Sequence, residues 1–86
     1  MEIRTTKTFD KEYRNLPEEV KRRTNKQLSF LLENPRHPSL RVKKLKSRED
    51  IWEARVTRDY RFTFQIIGTT YILRRIGKHE AVLKKP

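Results

Sequence analysis

The stretch of residues 51–79 constrains the fold most, because its apolar side chains recur at every second position. This alternation is typical of β-strands, in which successive side chains point to opposite faces of a sheet. Turn-forming residues at 57–59 and 68–70 divide the stretch, and Gly68 suits a positive φ. The sequence therefore predicts three antiparallel strands at about 51–56, 60–67 and 71–77, with Gly77 ending the third.

The alternation also sorts the side chains of these strands into two faces. The first face takes Trp52, Ala54, Val56, Tyr60, Phe62, Phe64 and Ile66, and the second takes Ile51, Glu53, Arg55, Arg61, Thr63, Gln65 and Ile67. The first face is apolar enough to pack on helices, so its aromatic residues are expected in the core rather than against RNA. The second face collects Glu53, Arg55 and Arg61, and we expect chemistry there.

Two helices are predicted before these strands. Phe9, Tyr13 and Leu16 follow one another at helical spacing and indicate a short first helix. Pro17 ends it, because a residue before proline avoids the helical conformation, and Pro17 also suits the first position of a second helix. That helix is predicted to end at Asn34. Its expected apolar side comprises Val20, Thr24, Leu28, Leu31 and Leu32.

A short edge strand near Ile3 and a strand-like segment at residues 42–45 complete the predicted order β-α-α-β-β-β-β. Helices followed by antiparallel strands indicate an α+β fold of two layers. We expect an N-terminal helical hairpin packed on a four- to five-stranded, mainly antiparallel sheet. The 86 residues leave room for one hydrophobic core, so residues 1–86 are predicted to form a single domain.

Charge indicates the kind of partner. Lysine and arginine outnumber aspartate and glutamate by 22 to 11, and a small basic domain typically meets RNA, DNA or an acidic protein segment. Residues 36–48 are the most basic window and contain no acidic residue. Such a run is either solvated surface or a phosphate-contacting ridge, and the missing acid favours the ridge. The predicted RNA- or ribosome-binding residues are Lys43, Lys44, Lys46, Arg74, Lys78, Lys84 and Lys85.

Several functional classes have little support in the sequence. There is no cysteine, and His37 and His79 lie far apart, so we predict neither a disulfide nor a metal site and expect no cofactor. His37, in a proline-flanked loop, is expected to be incidental. No apolar run reaches the length of a membrane span, and the N-terminus lacks a signal-peptide core. We therefore expect no membrane partner and a cytoplasmic location.

A metal-independent ribonuclease must remove a proton from the ribose 2′-OH, protonate the leaving 5′-oxygen and stabilise charge on the phosphate. His79 is suited to proton transfer near neutral pH, and Arg55 and Arg61 offer planar forks for phosphate oxygens. Glu53 is a second proton-transfer or orienting group. Predicted catalytic residues are therefore His79, Arg61, Arg55 and Glu53. On residue types alone, the same charges also suit structural ion pairs.

A set of motifs spread over nearly the whole chain carries a resemblance to a known family. They are Phe9-x-x-x-Tyr13-x-x-Leu16-Pro17, Asn34-Pro35, Leu45, Ile51-Trp52-Glu53-x-Arg55-Val56, Asp59-Tyr60-Arg61 and Ile76-Gly77-x-His79. This pattern resembles the RelE/ParE superfamily of toxins of type II toxin–antitoxin systems. The resemblance implies a RelE-like fold, an mRNA endoribonuclease acting in the A site of the 30S ribosomal subunit, and a cognate acidic antitoxin.

The resemblance also assigns roles to individual residues. Arg61 matches a phosphate-binding arginine, and Glu53 and Arg55 fall where the nucleases place polar or basic strand residues. His79 matches the catalytic histidine of the YafQ-like branch, and no tyrosine follows Tyr71 to play the part of the C-terminal tyrosine of RelE. Two alternatives stay open: a non-enzymatic inhibitor of DNA gyrase in the manner of ParE, and an inactive antitoxin-binding member. The Gly-x-His motif and the basic face favour the nuclease.

Overall fold

The computed structural model describes residues 1–46, 48 and 50–86, which form a five-stranded sheet and three α-helices. The elements are β1 (Glu2–Thr5), α1 (Lys7–Arg14), α2 (Glu18–Glu33), a 3₁₀ helix (Pro38–Leu40), β2 (Lys43–Lys44), β3 (Trp52–Arg55), β4 (Tyr60–Ile67), β5 (Thr70–Lys78) and α3 (His79–Lys84). None of the helices in these ranges is long and apolar enough to cross a membrane.

The strands lie in the order β1-β5-β4-β3-β2. Strand β1 runs parallel to β5, and every other neighbouring pair is antiparallel. This arrangement confirms the predicted α+β fold and the edge strand near Ile3. The strand-like segment expected at residues 42–45 shortens to β2, and Gly68 has the predicted positive φ, of 60°.

The first face of the sheet forms the core with the helical hairpin. Across the sheet Ala54, Phe62 and Ile76 are register partners, and all three are buried. Phe64 is also buried, which confirms the prediction that these aromatic residues belong to the core, while Trp52 is half-buried against them. Alternation alone therefore predicted the burial of Ala54, Phe62 and Phe64, whereas Ile66 on the same face is 46% exposed.

The helices differ from prediction in two details. α2 begins at Glu18, one position later than expected, so Pro17 is the residue before the helix rather than its first residue. At the start of α1, Thr6 accepts a hydrogen bond from the Phe9 N–H at 3.0 Å. The buried residues of α2 are Val20, Thr24, Gln27 and Leu31. Leu32 was predicted on this side but is 44% exposed, because it lies one position beyond the i, i+4, i+7, i+11 stripe that the buried residues define.

The chain after Gly77 departs most from prediction. Strand β5 continues through Gly77 to Lys78, and the expected basic tail forms α3 with Val82 fully buried. An added Cβ at Gly77 would lie 3.3 Å from the Val82 side chain, so this glycine allows α3 to approach the second face of the sheet. Glu53 and Thr63, which lie on this face, are buried. The second face is therefore partly covered, contrary to expectation.

Gln27 connects α2 to the β3 end of the sheet. Its buried side-chain amide donates to the Arg55 carbonyl at 2.8 Å and to the Ser39 carbonyl at 3.2 Å. Replacing it with leucine of similar size would leave both carbonyls without this donor. Unsatisfied buried polar groups carry a high free-energy cost, so Gln27 fixes the 3₁₀ helix beside β3.

We expect Gln27→Leu to lower the free energy of unfolding by about 1–3 kcal/mol, the cost of leaving buried acceptors unpaired. Ser29→Ala is the matched control, because this exposed residue of the same helix loses only a 3.2 Å bond to the Asn25 carbonyl. Urea denaturation followed by circular dichroism measures both. Equal stabilities for the two variants would contradict the role assigned to Gln27.

Candidate active site

A cleft of about 490 Å³ lies where the β3–β4 turn meets the junction of β5 and α3. Its lining residues are Arg58, Asp59, Arg61, Lys78, His79 and Glu80. Two arginines, a lysine and a histidine thus face the same space as two carboxylates. Such a cleft can hold an anionic substrate and offers groups that can accept or donate a proton.

Sheet register explains why these residues meet. Arg55 pairs with Arg61 between β3 and β4, and Arg61 pairs with Gly77 between β4 and β5. The His79 N–H then donates to the Asp59 carbonyl at 2.9 Å, which fastens the start of α3 to the turn. His79 is exposed as the first residue of α3, so its imidazole is accessible to a substrate. Strand β5 lies between β1 and β4, and its pairing with β1 runs from Thr70 to Leu73, so that pairing ends before the residues that lead to His79.

Arg61 is held in place by the turn that it follows. Its Nη1 donates to the carbonyls of Thr57 at 2.7 Å, Tyr60 at 3.0 Å and Arg58 at 3.1 Å. Burial, followed by the positive charge of Arg55, lowers the pKa of Arg61, while the carboxylate of Glu53 opposes that shift. The guanidinium nevertheless stays charged at neutral pH, as arginine does in proteins. A fixed, half-buried cation is suited to stabilising charge that develops on a phosphate.

The other two predicted catalytic residues, Arg55 and Glu53, lie next to the cleft but do not line it. Arg55 is half-buried, and its side chain has no ion-pair partner among residues 1–46, 48 and 50–86. The side chain of Glu53 is only 5% exposed, with Oε1 3.9 Å from Lys43 Nζ. Its Oε2 is buried without a hydrogen-bond partner in the described part of the chain. The structure therefore brings His79 and Arg61 together, with Arg55 adjacent and Glu53 beneath the surface.

Some residues at the cleft were not selected from the sequence. Arg58, Asp59 and Glu80 line it, and the charge of Arg41 is close enough to lower the pKa of Arg61. Glu80 immediately follows His79, and Asp59 lies two positions before Arg61. Their closeness in sequence to selected residues could therefore have pointed to them. Arg41 belongs to the basic window, but only the folded chain shows that it approaches Arg61.

Comparison with known proteins shows which fold this is. No protein-family model matches the sequence, and no curated protein does. Among solved structures, YafQ from E. coli strain BL21(DE3) is similar with a TM-score of 0.77 and 18% identity, covering 93% of this chain and 94% of YafQ. The YoeB/ParE toxin from Agrobacterium tumefaciens gives a TM-score of 0.78 and 16% identity, covering 92% and 99%. The chain has the fold of the RelE/ParE superfamily of toxins.

A third similar structure includes a bound partner. The intact E. coli RelBE toxin–antitoxin complex is similar with a TM-score of 0.71 and 26% identity, covering 90% of this chain and 94% of that one. The predicted resemblance to the RelE/ParE superfamily is thus confirmed at the level of the fold.

In this RelE/ParE fold the last residues hold α3 on the sheet. The Pro86 carbonyl accepts from Thr63 Oγ1 at 3.0 Å and from Arg74 Nε at 3.1 Å, and the Lys85 carbonyl accepts from Arg75 Nη1 at 2.7 Å. Because α3 begins with His79, these contacts at its far end help to fix the orientation of the helix that presents the imidazole.

The predicted RNA-binding residues differ in whether the structure leaves their side chains accessible. Lys43, Lys44, Lys46, Lys78, Lys84 and Lys85 are exposed. Arg74 instead uses its guanidinium for internal bonds to Pro86 and to Gln65 Oε1, the latter at 2.9 Å. Within residues 1–46, 48 and 50–86, no three of the acidic and histidine side chains cluster as metal ligands.

Arg75 also joins the sheet to α1. It makes a bidentate bridge to Glu12, with Nε 2.9 Å from Oε1 and Nη2 2.8 Å from Oε2. The hydrogen bonds to Glu12 are the main cause that raises the pKa of Arg75 above its ordinary value. A cation with a raised pKa contributes stability below its ordinary pKa and loses it only as the pH rises through the higher folded value. On the alkaline side the bridge therefore persists throughout the practical pH range.

We expect Glu12→Gln to lower the free energy of unfolding by about 1.5–3 kcal/mol, as for other hydrogen bonds to charged groups. Glu19→Gln is the matched control, because it removes one carboxylate from an exposed pair with Arg22 and should change stability little. Urea denaturation at neutral pH compares the two. A loss no larger for Glu12→Gln than for Glu19→Gln would show that the bridge does not stabilise the fold.

Proposed function

We propose that this protein is a metal-independent endoribonuclease toxin that inhibits translation by cleaving mRNA. The observation that carries the proposal is the position of His79 beside Arg61 in an accessible cleft with two further cations, Arg58 and Lys78. A group that can transfer a proton near neutral pH and a fixed guanidinium are the two requirements of phosphodiester cleavage that side chains alone can meet.

The proposed reaction begins with attack of the ribose 2′-oxygen on the adjacent phosphorus. The 2′-hydroxyl gives its proton to a general base as its oxygen bonds to phosphorus, and the bond to the 5′-oxygen breaks as that oxygen takes a proton from a general acid. His79 acts as the general acid or base, and Arg61 and Arg55 stabilise the charge on the phosphate oxygens. The products are a 2′,3′-cyclic phosphate, or the 3′-phosphate formed by its hydrolysis, and a free 5′-hydroxyl.

Glu53 has an orienting role in this proposal rather than direct contact with RNA. Its carboxylate is buried, and its charge opposes the mutual repulsion of the arginines beside it. A second proton-transfer group must reach the ribose, and the carboxylates that line the cleft belong to Asp59 and Glu80. One of these two is the partner of His79 in the proposed mechanism.

The exposed lysines extend the cationic surface beyond the cleft. Lys43, Lys44 and Lys46 lie at the β2 edge of the sheet, and Lys84 and Lys85 lie at the end of α3. We assign them to contacts with mRNA and with the 30S A site in the cytoplasm. Because phosphate contacts release counterions, binding through these lysines should weaken steeply with salt.

The proposed second partner is a cognate acidic antitoxin. The net charge of +11 attracts an acidic chain and speeds its encounter, and the similar RelBE structure is a toxin–antitoxin complex. In this proposal the antitoxin covers the cationic surface and excludes RNA from the cleft.

We expect His79→Ala to slow cleavage of mRNA on purified ribosomes by about 10²–10⁴-fold, the usual contribution of general acid–base catalysis. Arg55→Ala should reduce the rate comparably through lost charge stabilisation, with folding preserved because Arg55 is only half-buried. Mapping the ends of the products tests the chemistry, because attack by the 2′-oxygen leaves a 2′,3′-cyclic phosphate or a 3′-phosphate and a 5′-hydroxyl.

Arg4→Ala is the matched control, because it removes one exposed positive charge at the β1 edge, away from the cleft. Cleavage by His79→Ala at the rate of the wild-type protein would rule out the imidazole as a catalytic group. If Arg61→Ala also left growth inhibition unchanged, a non-enzymatic function such as gyrase inhibition would replace the nuclease.

We expect induction of this protein alone to arrest growth, and co-expression of an acidic partner encoded beside it to relieve the arrest. Induction of the His79→Ala variant should be tolerated at the same soluble level, since it lacks the catalytic group. Cell density after induction and the amount of soluble protein are the measurements. Normal growth with abundant soluble wild-type protein would support the inactive, antitoxin-binding alternative.

A further inference from the structure

A second cleft, of about 340 Å³, lies next to the 3₁₀ helix and has no role in the reaction proposed above. Its lining residues are Pro35, Arg36, His37, Pro38, Arg41 and Val42. Two guanidinium groups and an imidazole line this space without a carboxylate among them. A cleft of this composition is suited to an anion, and its two prolines make part of the wall rigid.

His37 is held in a fixed orientation in this cleft. Its ring stacks on Phe30 with 3.8 Å between the ring centroids and 8° between the planes. Its Nδ1 accepts the Ser39 N–H at 3.2 Å and lies 2.8 Å from Ser39 Oγ. When Nδ1 accepts, the hydrogen of the neutral ring is on Nε2, which becomes a donor for a ligand.

The support of His37 extends into the core. Ser39 Oγ lies 3.3 Å from Gln27 Oε1, and the buried Gln27 also donates to the Arg55 carbonyl at the end of β3. The imidazole is therefore fixed by the same contacts that place the 3₁₀ helix beside the sheet. An oriented donor binds an anion at a lower entropic cost than a free surface side chain does.

Arg41 connects the two clefts. It lines the second cleft, and its charge acts on Arg61, which lines the first. Its backbone is left-handed, with φ 45° and ψ 46°, a conformation that costs a residue other than glycine about 1–2 kcal/mol. Strained residues of this kind cluster at ligand sites, where the surrounding structure holds them. Geometry links the same residues: Gln27 donates to the carbonyls of Ser39, beside Arg41, and of Arg55, and Arg55 is the register partner of Arg61. Arg41, Arg55 and Arg61 thus form a cationic path from one cleft to the other.

We propose that the second cleft binds the phosphodiester of a nucleotide next to the one that is cleaved, so that a single RNA strand passes from it along Arg41 to His79. This inference rests on the proposed nuclease function. The guanidinium forks of Arg36 and Arg41 and the Nε2–H of His37 contact the phosphate oxygens. Free phosphate presents the same oxygens, but the cationic path to the first cleft favours a strand that occupies both clefts.

The test measures binding of fluorescein-labelled 2′-O-methyl RNA, which cannot be cleaved through its blocked 2′-oxygen, to the full chain. A dinucleotide is meant to occupy one cleft at a time, whereas a hexanucleotide can occupy both together. Arg36→Ala and His37→Asn should weaken hexanucleotide binding by about tenfold, the effect of one charged hydrogen bond, and weaken dinucleotide binding less, because the dinucleotide retains the first cleft. Asparagine retains an acceptor for the Ser39 N–H and removes Nε2.

Salt dependence gives a second measure. Loss of one phosphate contact should reduce the slope of log affinity against log salt by about 0.7 for the hexanucleotide. Arg4→Ala, at the opposite edge of the sheet, removes the same charge as Arg36→Ala and should weaken the binding of both RNA lengths slightly and equally. Hexanucleotide binding that is unchanged in both cleft variants would overturn the inference, as would equal weakening for the two lengths.

Two further outcomes distinguish RNA from free phosphate as the ligand, and the nuclease proposal from the proposal for the second cleft. If inorganic phosphate shifts the His37 imidazole NMR signals and the hexanucleotide does not, the cleft binds free phosphate and the RNA assignment is wrong. If His79→Ala cleaves at the rate of the wild-type protein while the length-dependent binding is present, the nuclease fails and the RNA-binding cleft stands.

Discussion

The direct pairing of Arg55 with Arg61 across β3 and β4 is the constraint on which the candidate site depends. Like charges directly opposite each other weaken a sheet, so this register has a free-energy cost. The fold offsets it locally. The backbone carbonyls of Thr57, Arg58 and Tyr60 accept hydrogen bonds from Arg61, and the buried carboxylate of Glu53 lies nearby with opposite charge. The surrounding contacts thus hold together two cations that would otherwise separate.

An anion that binds between these arginines would relieve the repulsion. Preorganised charge of this kind stabilises developing negative charge without a large rearrangement of the protein. The buried Oε2 of Glu53, which has no hydrogen-bond partner among the described residues, fits the same account. Removal of a carboxylate from water is unfavourable, and the adjacent positive charge reduces that cost.

Much of this structure follows from local rules, and the remainder depends on packing between distant parts of the chain. Two-residue alternation and the turn at Gly68 predicted β4 and its neighbours, and Pro17 predicted the break between the helices. The sequence did not predict α3, because six residues with one buried valine give too short a pattern to distinguish from a tail. For the same reason the burial of Thr63 was missed, since α3 packs on β4 and β5 and the Pro86 carbonyl after it accepts from Thr63 Oγ1.

The candidate site likewise contains residues that the sequence predicts and residues that only the folded chain brings together. Arg61 and His79 could be selected from residue type and motif, because each stands at the end of a predictable strand. The approach of Arg41 to Arg61 could not be selected, since it depends on the left-handed backbone of Arg41 and on the Gln27 contacts. Pairs joined by strand register are predictable from sequence, whereas pairs joined through loops require the folded chain.

The register shift between Thr63 and Phe64 has a consequence for how this chain can vary. Thr63 pairs with Arg75 and Phe64 with Leu73, so Arg74 is an additional residue in β5. Strict alternation would send consecutive side chains to opposite faces, yet Arg74 and Arg75 both bind the last residues of the chain. Deletion of one residue from β5 would restore ideal pairing at the expense of one of these two anchors. The additional residue in β5 is therefore needed for both arginines to anchor α3. The number of residues in β5 is consequently more restricted than the identities of its side chains alone would require.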